Sequence, residues 1–117
     1  MKPTLTALLT LTLLAGCGGN LTQQEARERA VEASCDRAER CGEIGENDEY
    51  TDRDDCEVQA SAFWNELWPK ASCDENIVDE DLDTCVRAIQ DTQCNNPGDL
   101  LNTLGNRCSR ELVCAGD

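Results

Sequence analysis

Histidine is absent from the 117 residues of this sequence. The commonest general acid–base side chain is therefore missing, and no G-x-S-x-G or phosphate-loop motif occurs. No C-x-x-C pair occurs either, which argues against a thioredoxin-like oxidoreductase and against the close ligand pairs of structural zinc. We therefore expect a protein that is not an enzyme and that holds neither a metal ion nor another cofactor.

Large aromatic side chains and positive charges are also scarce. The aromatic residues are Tyr50, Phe63, Trp64 and Trp68, which is too few for a strong core, and small domains of this kind usually rely on covalent cross-links. Ten basic residues face 24 acidic ones, so the formal net charge is −14. Such a chain repels nucleic acid and anionic lipid headgroups, and no nucleic-acid partner is expected.

Carboxylates are abundant, but their spacing does not form a calcium-binding loop. Asp79, Asp81 and Asp83 imitate its first positions. Thr84 then stands where the loop needs glycine, and Gln90 stands where it needs glutamate. We interpret this run as the acidic first turn of a helix.

The N-terminal residues look like a bacterial lipoprotein signal. Lys2 precedes an apolar run over residues 5–14, and the segment Leu14-Ala15-Gly16-Cys17 follows. The run has about ten residues, fewer than the ~20 that a membrane-spanning helix needs. Residues 1–16 are therefore predicted to be a signal peptide, cut before Cys17 or, alternatively, cut at a similar place without lipidation.

Lipidation would make Cys17 different from the other eight cysteines. Acyl chains such as palmitate on this residue would hold the protein on a membrane, with residues 17–21 as a tether. Gly18, where some lipoproteins have aspartate, favours export to the outer membrane of the cell envelope.

The eight remaining cysteines predict four disulfides, because their number is even and the chain is exported. Eight cysteines allow 105 connectivities. If the first two helices form an antiparallel hairpin, Cys41 and Cys56 would meet, which favours a Cys41–Cys56 bond. The predicted disulfide cysteines are Cys35, Cys41, Cys56, Cys73, Cys85, Cys94, Cys108 and Cys114.

Residues 22–117 are predicted to form a small all-α bundle of about four helices. The first begins at a Thr22–Glu25 capping box and ends near Cys41. The second runs from about Asp52 to Trp68, before Pro69.

The third and fourth helices are predicted from their caps and apolar faces. Asp79 is expected to cap the third, which continues to about Thr92. The fourth opens at Asn96-Pro97 and ends at Gly105. A last helical turn is expected to follow Ser109. The leucines predicted to form the buried face of the fourth helix are Leu100, Leu101 and Leu104.

Trp64 and Trp68 lie four residues apart and therefore share a face of the second helix. Core packing is the favoured interpretation in a chain with so few large apolar side chains. The alternative is a surface for a partner or a ligand, since aromatic side chains often anchor binding.

Three segments carry a resemblance to a known family: residues 35–45, residues 62–69, and Cys94-Asn95-Asn96 with residues 100–104. They resemble a family of small cysteine-rich bacterial lipoproteins of uncharacterised function, over about residues 14–114. Members of that family have been linked to natural-product biosynthesis through genomic neighbourhood. The resemblance supplies no catalytic or binding residues.

These observations favour a non-enzymatic lipoprotein of the cell envelope that binds or scaffolds an unknown partner, in a role accessory to natural-product biosynthesis. The alternative is a carrier of a small apolar molecule, held beside Trp64 and Trp68. A hydrophobic cavity in the structure would favour the carrier, whereas a dry core with an exposed patch would favour the scaffold.

Overall fold

The computed structural model describes residues 21–116, which form an all-α fold with four disulfides, as the sequence predicts. The predicted signal peptide and Cys17 lie outside these residues. Extended pairing within residues 21–116 is limited to two isolated bridges, Leu21 with Ile77 and Ile44 with Tyr50. The helices are α1 (Gln23–Arg40), α2 (Arg53–Leu67), α3 (Lys70–Cys73), α4 (Asp79–Asp91), α5 (Pro97–Arg107) and α6 (Arg110–Val113).

Helix α1 is the centre of the fold and packs mainly against α2 and α4. Its predicted capping box is present: the Thr22 hydroxyl accepts from the Glu25 N–H at 3.0 Å, and the Glu25 carboxylate accepts from the Thr22 N–H at 3.0 Å. Ala26, Ala30 and Ala33 are fully buried along its length. These small side chains allow the neighbouring helices to approach closely, so α1 contributes little bulk to the core.

Helix α2 begins at Arg53, close to its predicted start, and Asp52 is its N-cap. Arg53 then joins the start of α2 to α1, because its guanidinium lies 2.9 Å from Asp36 and 3.1 Å from Glu39. It also bonds to Glu57 at 3.0 Å. That last hydrogen bond, with help from the two acids on α1, raises the pKa of Arg53. The first turn of α2 therefore lies beside the second half of α1.

Two helix starts differ from the prediction. After Pro69 the chain forms the single-turn helix α3, which is not among the four predicted helices. Asp79 is the first residue of α4 and not its cap, since Val78 occupies the cap position. The Val78 N–H is bonded to the Val113 carbonyl at 2.8 Å, so a contact distant in sequence fixes this boundary.

The predicted end of the fourth helix is wrong as well. Helix α5 continues past Gly105 to Arg107. A glycine inside a helix costs only about 1 kcal/mol. The next residue, Cys108, is bonded to Cys85 on α4. This disulfide fixes the position of the chain directly after α5.

The disulfide map corrects the predicted Cys41–Cys56 pair. Residues 42–52 make a connection too long for a tight hairpin, so Cys56 in the first turn of α2 meets Cys35, well before the end of α1. Cys41, at the end of α1, lies instead against the segment before α5. The four bonds are Cys35–Cys56, Cys41–Cys94, Cys73–Cys114 and Cys85–Cys108.

Within residues 21–116, no helix combines the length and the apolar character needed to cross a membrane.

Candidate functional site

Helix α5 carries no buried side chain, which contradicts its predicted buried face. Leu100 and Leu104 are half-buried, and Leu101 is 69% exposed. The helix packs mainly on α4, and the space between α5 and α2 stays open. An apolar face that the sequence assigns to the core therefore becomes the wall of a groove.

Disulfides hold this wall at both ends. Cys94, three residues before α5, is bonded to Cys41 at the end of α1. Cys108, directly after α5, is bonded to Cys85 on α4. The two bonds supply the attachment that buried side chains give to an ordinary helix. They allow α5 to keep its leucines facing open space.

The opening between these helices, called the α2–α5 groove below, has a volume of about 510 Å³. That volume lies within the range of about 300 to 1,000 Å³ typical of small-molecule sites. Residues from α1 and α4 form its floor, and α2 and α5 form its walls. Its large apolar and aromatic lining residues are Tyr50, Phe63, Trp64, Ile89, Leu100 and Leu104.

Trp64 belongs both to the buried core and to the lining of the groove. It is only 2% exposed, and its indole N–H donates to the Ser34 hydroxyl at 3.0 Å. The ring of Phe63 lies edge-on to it, with centroids 5.0 Å apart, and is 41% exposed. The groove thus has a rigid aromatic base, and Phe63 at its rim remains free to contact a ligand.

Arg37 is a cation in the groove lining, but its donors are occupied. The side chain is only 7% exposed. Its Nε donates to the Thr92 hydroxyl at 2.5 Å, one Nη donates to the Gln93 carbonyl at 3.2 Å, and the other lies 3.5 Å from Glu43. Since the last turn of α4 has no basic residue of its own, this arginine stabilises that helix end.

The connection between α1 and α2 contributes a further part of the groove lining and folds back on itself. The Tyr50 N–H donates to the Glu43 carbonyl at 3.0 Å, and the Gly45 N–H donates to the Tyr50 carbonyl at 2.8 Å. These bonds hold Glu43, Glu49 and Tyr50 together at one end of the groove. Burial, followed by the charges of Glu49 and Glu43, raises the pKa of the Tyr50 phenol.

The two tryptophans predicted as core or as a partner surface are both buried. Trp68 is 0% exposed and does not line the groove, while its ring centroid lies 4.6 Å from that of Trp64. Its indole N–H donates to the Cys108 carbonyl at 2.9 Å, and its own carbonyl accepts from Gln23 at 2.7 Å. Neither ring offers an exposed surface to a protein partner, and Trp64 alone of the two reaches the groove.

Metal-ligating side chains do not gather in the part of the chain that the structure describes. No group of three or more His, Cys, Asp or Glu residues there is arranged to hold an ion. Asp79, Asp81 and Asp83 lie in the first turns of α4, where their charges suit the helix N-terminus. Asp79 and Asp83 also pair with Arg29 of α1.

Residues 35–116 match a family model described as a family of unknown function, DUF6184. The chain belongs to this family. The DUF6184 match contains all eight disulfide cysteines and every groove residue named above except Ser34. No curated protein and no solved structure is detectably similar to the chain.

Sequence reasoning missed Tyr50, Phe63 and Arg37 as groove residues. They come from three separate segments, and no local spacing joins them. The available signal was indirect: the chain has too few large apolar side chains to cover the leucines of α5. A shortage of covering residues predicts an open apolar face, but not where it lies.

Proposed function

We propose that this protein is a non-enzymatic, lipid-anchored binding protein of the bacterial cell envelope, and that its α2–α5 groove carries a small apolar molecule. The observation that carries the proposal is the groove itself, an open volume of about 510 Å³ with aromatic and leucine walls. Scaffolding of a protein partner remains the second interpretation of the sequence. Trp64 and Trp68 are buried, so neither offers a protein partner the aromatic surface that the sequence left open as an alternative.

The resemblance to lipoproteins linked to natural-product biosynthesis supports a source for the ligand. In this proposal the groove holds an apolar product of such a pathway at the envelope. The lipid on Cys17 keeps the domain on the outer membrane, where such a product would cross.

The anchoring part of the proposal predicts the effect of Cys17→Ser. This change removes the thiol that accepts the lipid, so we expect the protein to lose its membrane anchor or to keep its signal peptide. Mass spectrometry of the mature N-terminus, together with membrane fractionation, measures both effects. A wild-type protein whose Cys17 is unmodified, or whose mature chain starts elsewhere, contradicts lipidation.

Occupancy of the groove predicts saturable binding of an uncharged apolar probe. We expect N-phenyl-1-naphthylamine to bind the full-length lipidated protein, held in phosphatidylcholine nanodiscs, with one site per chain. Because Trp64 lies at the base of the groove, its fluorescence should fall as the site fills. We expect Leu100→Asn to weaken binding of the probe about tenfold, because it removes apolar contact. A tenfold change corresponds to a loss of roughly 1.4 kcal/mol of binding free energy.

Leu101→Asn is the matched control, since Leu101 lies on the same helix but points away from the groove and is 69% exposed. We expect it to leave the affinity for the probe unchanged. Empty nanodiscs account for probe that dissolves in lipid. Absence of saturable binding, or equal effects of the two leucine changes, would exclude the α2–α5 groove as the ligand site.

A further inference from the structure

We propose that the α2–α5 groove selects an apolar molecule that carries a positive charge, an amphiphilic amine or quaternary ammonium compound, whose charge lies beside Glu43, Glu49 and Tyr50. This inference rests on the proposed function, because it names the chemical class of the ligand that the groove would carry. It starts from the uneven lining of the groove. Helix α5 contributes leucines, and the connection between α1 and α2 contributes two glutamates.

Backbone hydrogen bonds hold the segment that carries the two glutamates. The Glu43 N–H donates to the Ala38 carbonyl at 2.8 Å, and its carbonyl accepts from the Tyr50 N–H at 3.0 Å. Glu49 directly precedes Tyr50, so its backbone is held by the same fold of the connection. Both carboxylates are therefore carried by a hydrogen-bonded part of the connection between α1 and α2.

The charges that line the groove do not cancel. Arg37 opposes the two glutamates, but its guanidinium is bonded to Thr92, to Gln93 and to Glu43. Among the described residues, Glu49 has neither a hydrogen bond nor an ion pair. The lining thus keeps one negative charge without a cationic partner and has no spare cation to receive an anionic ligand.

The charges that act on the Tyr50 phenol are mostly negative. Burial is the largest cause of its raised pKa, but Glu49, Glu43 and Asp55 all act in the same direction, and Arg37 alone opposes them. A negative field that disfavours phenolate at this point favours a cation. The aromatic face of Tyr50 adds a further attraction, since cations bind over aromatic rings.

The surroundings strengthen this preference. Residues 43–55 contain seven acidic side chains and a single basic one, Arg53, which is occupied by Asp36, Glu39 and Glu57. The whole chain has a net charge of −14 and attracts cations at long range. The acidic side chains would repel an apolar carboxylate, and they would give an uncharged molecule no electrostatic attraction.

A matched series of probes tests the charge preference. We expect n-octyltrimethylammonium to displace the naphthylamine probe from full-length protein in phosphatidylcholine nanodiscs roughly tenfold more effectively than 1-octanol. Octanoate should compete less well than 1-octanol. The three compounds share an eight-carbon chain, and the lipid carries no net charge, so the differences report the groove. High salt should reduce the advantage of the cation, because it screens exposed charges.

Glu49→Gln removes the unpaired charge with little change of shape. We expect it to weaken binding of n-octyltrimethylammonium about fivefold and to leave 1-octanol unchanged. Glu111→Gln makes the same charge change on α6, outside the groove lining, and should alter neither.

The failures of the two proposals are distinguishable. Equal displacement by n-octyltrimethylammonium and 1-octanol, or stronger displacement by octanoate, overturns the selection of a cation while the groove remains a carrier site. A cation preference that survives both Glu49→Gln and high salt overturns it as well. Absence of displacement by all three compounds removes the groove function together with the charge preference.

Discussion

Reduction of the four disulfides should abolish the helical fold, with loss of most of the far-UV circular dichroism signal at 222 nm. The buried apolar residues are mostly alanines and cysteines, so little free energy comes from burial of large side chains. In the chain-entropy model each bond contributes about 3 to 4 kcal/mol, for sequence separations of 21 to 53 residues. Whole domains are stable by only about 5 to 15 kcal/mol.

Alkylation before and after reduction provides the accompanying measurement. Without reductant, the isolated protein should show no labelled site among residues 21–116, and after reduction it should show eight. The double change Cys41→Ala with Cys94→Ala is the control, since three disulfides remain and the domain should stay folded. Cooperative thermal unfolding of the fully reduced chain would contradict the argument, because it would mean that the small core suffices.

Helix positions could be predicted from the sequence because their causes are local. The capping box of Thr22 and Glu25, the cap at Asp52, and the pair Asn96-Pro97 act within a single turn of helix. Such signals do not depend on the tertiary arrangement of the chain. The all-α class follows from these local signals, and the four disulfides follow from the even number of cysteines.

Disulfide pairing could not be predicted, because it depends on how far one helix slides along another. Cys41 and Cys56 would meet across a tight hairpin. The ion pairs of Arg53 with Asp36 and Glu39 place α2 farther back along α1, beside Cys35. A displacement of less than two helical turns changes the partner. No spacing within the sequence encodes that displacement.

The α2–α5 groove could not be predicted from the sequence, for a related reason. Leucines at positions 100, 101 and 104 show that one face of α5 is apolar, and an apolar face usually predicts burial. Whether a neighbouring helix covers the face depends on the tertiary arrangement. Here Cys94 and Cys108 hold α5 against its neighbours through bonds to Cys41 and Cys85, so complete burial is not needed.

Trp68→Ala should destabilise the protein by about 3 to 5 kcal/mol, the usual cost of removing a large aromatic side chain from a core. Trp68 is 0% exposed, packs on Trp64 and donates its indole N–H to the Cys108 carbonyl at 2.9 Å. Alanine leaves a cavity and an unbonded buried carbonyl. Urea unfolding, followed by circular dichroism at 222 nm with the disulfides intact, measures the difference in free energy.

Two further variants divide this cost between packing and hydrogen bonding. Trp68→Phe keeps an aromatic ring but loses the donor to Cys108, and we expect it to cost about 1 to 3 kcal/mol. Phe63→Ala removes a ring of α2 that is 41% exposed and lines the groove, and it should cost less than Trp68→Ala. If Trp68→Ala cost no more than Phe63→Ala, Trp68 would not be a core residue, and the disulfides would hold the domain together without it.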